Sequence, residues 1–265
     1  AAWLAGADAE RLLKEAIRRN LFLYRQKDGS YRYLSLFRDV LLERLGEEPD
    51  VCQESYRAAA AYCQGKGDVD GALRFLRQVR EWEQIGQLLS RHGSKWLEAG
   101  RLDSLYEWLN LLSDEVKRRH YTLWYFQAEV ERYRCLYPQA LASYDQYIAC
   151  ALAHQDTVGH CLGLEGKART HLDSVQGLKA EELLKQAIRL LDNNRDHELA
   201  PRLYRLLAEI YTNRGNAAEA EYWYRRSQEL ERQTEVDIES RLFFRTGRLQ
   251  SALRLLEKKW QEEKV

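Results

Sequence analysis

Small and large apolar positions recur along this chain in a fixed order. Ala72, Leu105, Ala140, Ala180, Ala220 and Ala252 each fall early in an amphipathic stretch, 32 to 40 residues apart. Twelve residues before three of them stand Ala128, Ala168 and Ala208; four residues after the same three stand Tyr144, Leu184 and Tyr224. From Ala140 to Ala220 the period is 40. A small residue lets two antiparallel helices approach, and a large one fills the gap beside the next pair. A pair of this size cannot bury its apolar face alone, so the pairs must stack. The pattern predicts an all-α chain over 49–265, a right-handed solenoid of about six helix pairs. Such a shape binds along a groove and does no chemistry by itself.

The expected turns lie about five residues before each small position: Gly65–Asp68, Gly100-Arg101, Leu136–Pro138, Gln176-Gly177, Gly215-Asn216 and Gly247-Arg248. Glycine suits them because it takes positive φ without strain. Residues 1–48 break the pattern. Ala9–Asn20 predicts a helix with Leu12, Leu13, Ala16 and Ile17 on one face. Leu21–Arg25 and Tyr31–Leu34 flank Asp28-Gly29, which predicts a β-hairpin. A second helix follows over Leu36–Leu45, with Phe37, Val40, Leu41 and Leu45 on its buried face. Helix, hairpin, helix is the tail of a winged-helix module. Two domains are expected: 1–48, the C-terminal part of that module, and 49–265, the repeats.

Composition narrows the partners. Forty-one basic and 41 acidic residues give a formal net charge of zero, which argues against a nucleic-acid or membrane surface, since phosphate binding needs a concentrated positive field. The longest apolar runs, such as Ala58–Cys63, fall far short of the roughly 20 residues a span needs. Five cysteines at irregular spacing make no disulfide framework and point to a reduced, cytoplasmic setting. Methionine is absent, which suits chance, a fragment of a longer chain, or modified methionines missing from the sequence.

No catalytic motif survives inspection, and no enzyme is expected. Gly166-Lys167-Ala168 lacks the upstream glycine and the hydroxyl of a P-loop. His197-Glu198-Leu199-Ala200-Pro201 starts like a zinc-protease helix, but Pro201 stands where the second histidine belongs. Cys150, His154, His160 and Cys161 lack the paired spacing that zinc uses and read as helix-end and surface residues. The seven tryptophans and 16 tyrosines read mostly as packing between repeats.

The first helix of each pair lines the concave side of such a solenoid. Counted from its small residue, the inner positions are three before, one after and five after. They place Tyr125, Glu129 and Tyr133 on one helix, Glu165, Arg169 and Asp173 on the next, and Arg205, Glu209 and Asn213 on a third. This stripe could hydrogen-bond a polar ligand and stack on its flat face. The same residues also suit a solvated surface with i, i+4 pairs such as Glu165–Arg169 and Arg205–Glu209.

Arg202–Arg226, with Leu207-Ala208, Ile210-Tyr211, Gly215, Ala220 and Tyr224, resembles a tetratricopeptide repeat. A longer resemblance runs through Gly67-Asp68-Val69-Asp70-Gly71-Ala72 and Trp82-Glu83-Gln84-Ile85-Gly86-Gln87-Leu88-Leu89. It continues through Trp96-Leu97-Glu98-Ala99-Gly100-Arg101-Leu102 to Leu105-Tyr106-Glu107-Trp108-Leu109. With Asn20–Leu23 and Tyr31–Leu41 before it, this is similar to the join between winged helix and superhelix in MalT-like regulators. They form a subfamily of the LuxR-family signal-transduction ATPases. The resemblance implies a tetratricopeptide-like superhelix that receives a small inducer or a regulatory protein. It further implies a winged helix that relays the event and governs self-association. ATP would bind only an upstream ATPase domain, DNA only a terminal helix-turn-helix, and neither motif is evident in this sequence. The expected function is the inducer- or partner-sensing region of a bacterial transcriptional activator. The alternative is a stand-alone tetratricopeptide adaptor that binds peptide segments of a partner.

Overall fold

The computed structural model describes residues 8–27, 29, 31–191, 198–230, 240, 243–245 and 247–262, apart from the side chains of 45, 46 and 262. Trp3, Asp28, His197 and the side chain of Leu45 lie outside that set. The chain divides into two compact units, Ala1–His92 and Gly93–Val265. The boundary expected near residue 48 falls inside the first.

In the first unit, helix α1 spans Ala9–Arg18 and precedes strands β1 (Leu23–Arg25) and β2 (Tyr31–Tyr33). The strands pair antiparallel, Leu23 opposite Tyr33 and Arg25 opposite Tyr31. Helix α2 (Ser35–Gly46) follows. Phe37 holds it to the hairpin, 5.2 Å from Phe22 and 5.7 Å from Tyr33 between ring centroids. The apolar faces expected to be buried here are covered only in part, with Leu13, Ala16, Ile17 and Phe37 half-buried. Leu12, Val40 and Leu41 are exposed, because one two-stranded hairpin and two helices offer too little surface to cover them. Helices α3 (Pro49–Gly65) and α4 (Val69–Gln78) then pack as an antiparallel pair. The Asp68 side chain caps α4, accepting from the Gly71 amide at 2.9 Å. A Cβ at Gly71 would stand 2.2 Å from that carboxylate, so the Asp-x-x-Gly spelling serves the cap.

Helix α5 (Trp82–Glu98) runs across the division. In the second unit come α6 (Leu102–Leu111), a short α7 (Asp114–Arg119), and then a regular series. It comprises α8 (Thr122–Tyr133), α9 (Tyr137–Ala153), α10 (Thr157–Asp173), α11 (Gly177–Leu191), α12 (Leu199–Asn213), α13 (Ala217–Leu230) and α14 (Leu249–Glu262). Successive helices pair as α8 with α9, α10 with α11 and α12 with α13. The first helices also meet one another, α8 with α10 and α10 with α12. This is a tetratricopeptide-like solenoid. Every small position that marked the repeat is buried: Ala128, Ala140, Ala168, Ala180, Ala208, Ala220 and Ala252, with Tyr144, Leu184 and Tyr224 beside them. The core runs along the solenoid from Cys161 and Leu164 through Leu184 and Leu203 to Tyr224. Trp96 and Trp124 are buried as packing residues, whereas Trp260 is exposed.

Two turns depart from expectation. Gly67, Gly100, Gly215 and Gly247 take the positive φ assigned to them, but in the turns after α8 and α10 the left-handed residues are Cys135 (φ 59°) and Val175 (φ 61°). Gly177 stands inside α11 instead. Left-handed backbone costs an L-residue about 1–2 kcal/mol, and a β-branched residue there is an outlier.

Candidate functional site

The concave stripe is built by the first helices α8, α10 and α12. Their mutual contacts bring polar faces of neighbouring repeats side by side, and the long side chains bond across them. Glu129 and Glu165, expected at exposed inner positions, are instead 4% and 1% exposed. Burial is tolerable because each carboxylate is held several times over. Glu129 Oε1 accepts from the Tyr144 hydroxyl at 2.5 Å, and Oε2 from Arg132 at 3.1 Å, with Arg169 at 3.9 Å. Glu165 accepts from Arg169 Nε and an Arg169 terminal nitrogen at 3.1 and 2.7 Å, and from Arg202 at 2.9 Å on both oxygens. Arg132 reaches on to Asp173 at 2.8 Å.

The result is a ladder of three guanidiniums and three carboxylates that ties α8, α10 and α12 together. Burial pushes the Glu129 carboxyl upward, but Arg169, Arg132 and the Tyr144 hydroxyl outweigh it and hold the group below its ordinary range. The same carboxylate and burial push the Tyr144 hydroxyl well up. Charges balance within the ladder, so its floor has no surplus with which to draw an ion.

The nine stripe residues therefore divide. Glu129, Glu165 and Arg169 belong to the ladder, with Asp173 at its exposed end. Tyr125 is half-buried in an aromatic cluster, 5.4 Å from Tyr147 and edge-on to Tyr144. Tyr133 is 54% exposed, with the Arg132 guanidinium 4.4 Å over its ring. Arg205 and Glu209 are half-buried on α12, and Asn213 is exposed at its end. Outside the ladder, Tyr133 and Asn213 are the ones of the nine whose side chains stand exposed. Two ladder members, Arg132 and Arg202, escaped the sequence reading. They sit one helical turn beyond the chosen positions, at four after Ala128 and six before Ala208. Continuing the stripe at i+3 and i−3 finds both.

Two further polar clusters had no sequence signal. Lys117 is buried, donates to Gln127 at 2.6 Å and lies 4.8 Å over the Trp124 ring. Gln127 and Ser143 both donate to buried Glu131, at 2.9 and 2.7 Å. At the turn edge of the solenoid, Glu181 accepts from Tyr211 at 2.6 Å, from Lys185 at 2.7 Å and from Arg214. Burial opposes ionisation of Glu181, but the three donors prevail and bring its carboxyl to about 2. A folded-state value below the unfolded one of about 4.3 stabilises above that pH, and the gain is lost as pH falls toward 2. Glu181→Gln is expected to lower the unfolding midpoint at pH 7 and to match the unaltered chain near pH 2. Thermal melts at the two pH values check it; a gap that persists at pH 2 contradicts the linkage.

Several of the other residues singled out in the sequence have structural partners. His154 Nδ1 donates to the Cys150 carbonyl at 2.8 Å, and the buried Cys161 thiol donates to the Ala187 carbonyl at 3.5 Å. Lys167 binds Asp145 at 2.6 Å. Pro201 is buried in the first turn of α12, where a missing N–H costs little. All five cysteines are free thiols. Among the described residues no helix is long and apolar enough to cross a membrane.

Comparison with known proteins gives two kinds of likeness. Residues 1–51 match the family model of the MalT winged helix domain. The chain is also similar in structure to the crystal structure of MamA protein, with 16% sequence identity and a TM-score of 0.52 over 68% of this chain and 92% of that one. At this identity the likeness shows the fold alone. A chain described as a DHF58 filament aligns over 97% of this chain and 94% of its own at 19% identity, but its TM-score of 0.14 carries no argument. A search of curated proteins gives no match.

Proposed function

We propose that this chain is the sensing region of a MalT-like transcriptional activator of the LuxR family. In this reading the solenoid groove receives a small effector or a regulatory protein, and the winged-helix part relays the event to ATPase and DNA-binding parts elsewhere. The observation that carries it is the order of parts: a match to the MalT winged helix over residues 1–51, followed in the same chain by stacked helix pairs. The region works by binding and is not catalytic. An effector that prefers one curvature of the solenoid biases the regulator by its difference in affinity between the two states, and small rotations per repeat add along the length. The exposed groups of the groove, Tyr133 and Asn213, offer a ring and an amide, with the half-buried Arg205 and Glu209 beside them, a set suited to a polar ligand.

A thermal-shift screen against sugars, amino acids, nucleotides and short peptides tests this. A ligand at about 100 times its dissociation constant adds about 2.7 kcal/mol. A small-molecule response that disappears in the Tyr133→Ala, Arg205→Ala double variant supports the sensor. A response to peptides with silence from every small molecule removes the small-effector form of this reading and favours a protein-binding groove, as in the adaptor; silence from every ligand class sinks it.

A further inference from the structure

A cleft of about 540 Å³ opens at the turn edge of the solenoid, between the α10–α11 turn and the end of α12. Its volume falls within the range of small-molecule sites, about 300–1,000 Å³. Leu172, Val175 and Leu178 give it an apolar wall, with buried Ile210 beneath. Two of these face water to an unusual degree, Val175 at 91% and Leu178 at 72% exposure. Val175 is also the left-handed residue of its turn. Forty residues later the same position is Gly215 and forty residues earlier it is Cys135, also left-handed. The turn fixes the left-handed backbone, and Val175 places a β-branched apolar side chain there that faces water.

The rim supplies charge. Lys179 lines the cleft and also an adjoining depression of about 450 Å³, where it stands with Lys167, His171 and Arg189. Arg214 at the cleft shares the single carboxylate of Glu181 with Lys185. Across both depressions and their partners, five cations (Lys167, Lys179, Lys185, Arg189, Arg214) stand against three carboxylates (Asp145, Glu181, Glu182). The concave ladder, by contrast, balances three against three. Between the basic groups, buried His171 has an Nδ1 with no hydrogen-bond partner.

We infer that this turn-edge cleft binds a small amphipathic anion, with its apolar body on Leu172, Val175 and Leu178 and its carboxylate or phosphate head at Lys179. The site is separate from the concave stripe, sharing only Asn213 with it, and does not rest on the regulator reading. Apolar contact supplies most of the affinity, and the cationic surplus selects the sign of the head.

Octyl phosphate is the probe, titrated calorimetrically into the whole chain below the concentration at which it forms micelles. Saturable one-to-one binding is expected, at least about tenfold tighter than inorganic phosphate, octanol or octyltrimethylammonium. Lys179→Glu and Leu178→Asp each weaken it by about tenfold or more; both positions are exposed, so the variants fold. Val175→Gly weakens it too, without lowering the melting temperature, because it relieves the left-handed strain. Tyr133→Ala leaves it unchanged. The inference is overturned by non-saturable binding, by inorganic phosphate binding equally well (an adventitious ion only), by equal affinity for the cationic or neutral probe, or by loss in Tyr133→Ala with retention in the cleft variants. Failure of these tests leaves the groove screen with its own outcome.

Discussion

Glu129→Ala is expected to lower the unfolding free energy of the solenoid by about 3–5 kcal/mol, the cost of stripping one partner from a buried ion pair. The substitution leaves the buried Arg132 guanidinium with only the half-exposed Asp173, removes one of the two carboxylates near Arg169, and strands the hydroxyl of fully buried Tyr144. Glu129→Gln keeps an acceptor for Tyr144 and should cost less. Replacing the pair together, Glu129→Leu with Arg132→Leu, should recover much of the loss, since a buried pair exchanged for apolar side chains is often neutral. Urea unfolding followed by helical circular dichroism measures all three. A loss below about 1 kcal/mol for Glu129→Ala shows that water reaches the ladder and that these residues behave as a solvated surface.

That outcome bears on what the sequence could and could not tell. The repeat was legible because burial of Ala128, Ala168 and Ala208 against Ala140, Ala180 and Ala220 is forced by the spacing: twelve residues across a tight turn leave no room for a larger pair. The hairpin was legible from its two aromatic runs and Gly29, which takes the positive φ expected of it. Burial on α2 was not. Periodicity states which face is apolar but not whether anything covers it, and Val40 and Leu41 stay exposed. Turn chemistry was legible only where glycine supplied it. Cys135 and Val175 adopt left-handed backbone that no local rule assigns to them, because the solenoid fixes where the chain must reverse, whatever residue stands there.

The site was half legible for a related reason. Counting from the small residue set Tyr125 and Glu129 on one first helix and Glu165 and Arg169 on the next, α8 and α10. It could not say that adjacent first helices lie close enough for Arg202 to reach Glu165 at 2.9 Å. That distance turns a string of i, i+4 surface pairs into a buried network linking three repeats. Polar residues at inner positions thus carry two meanings in a solenoid: those that reach a charge on the next first helix lock neighbours together, and those that do not, such as Asn213, stay exposed. The turn-edge cleft had no signal of this kind, because its walls come from residues 172–179 and 210–214, which are brought together only by stacking.

The closeness of that stacking has its own test. Gly166→Ala is expected to destabilise the solenoid by about 1–3 kcal/mol, the usual cost of forcing a methyl group into a packed interior. In an exposed helix the same change stabilises by about 1 kcal/mol through propensity, so the sign itself is diagnostic. A Cβ at Gly166 would lie 2.2 Å from the Tyr144 ring, nearer than carbon atoms approach. Tyr144 cannot give way easily. It is fully buried against Ala128 and Ala140, and its hydroxyl is fixed on Glu129. Gly163 faces Ile148 in the same way, at 2.4 Å, so α10 approaches α9 along a glycine-lined face. Displacing the Tyr144 ring also pulls its hydroxyl off the ladder, which couples the two sites. Glu129→Ala and Gly166→Ala together should therefore cost less than their sum, since each removes the same hydroxyl bond. A stabilised Gly166→Ala variant, or a double variant whose losses add in full, means that α9 and α10 stand further apart than these contacts require.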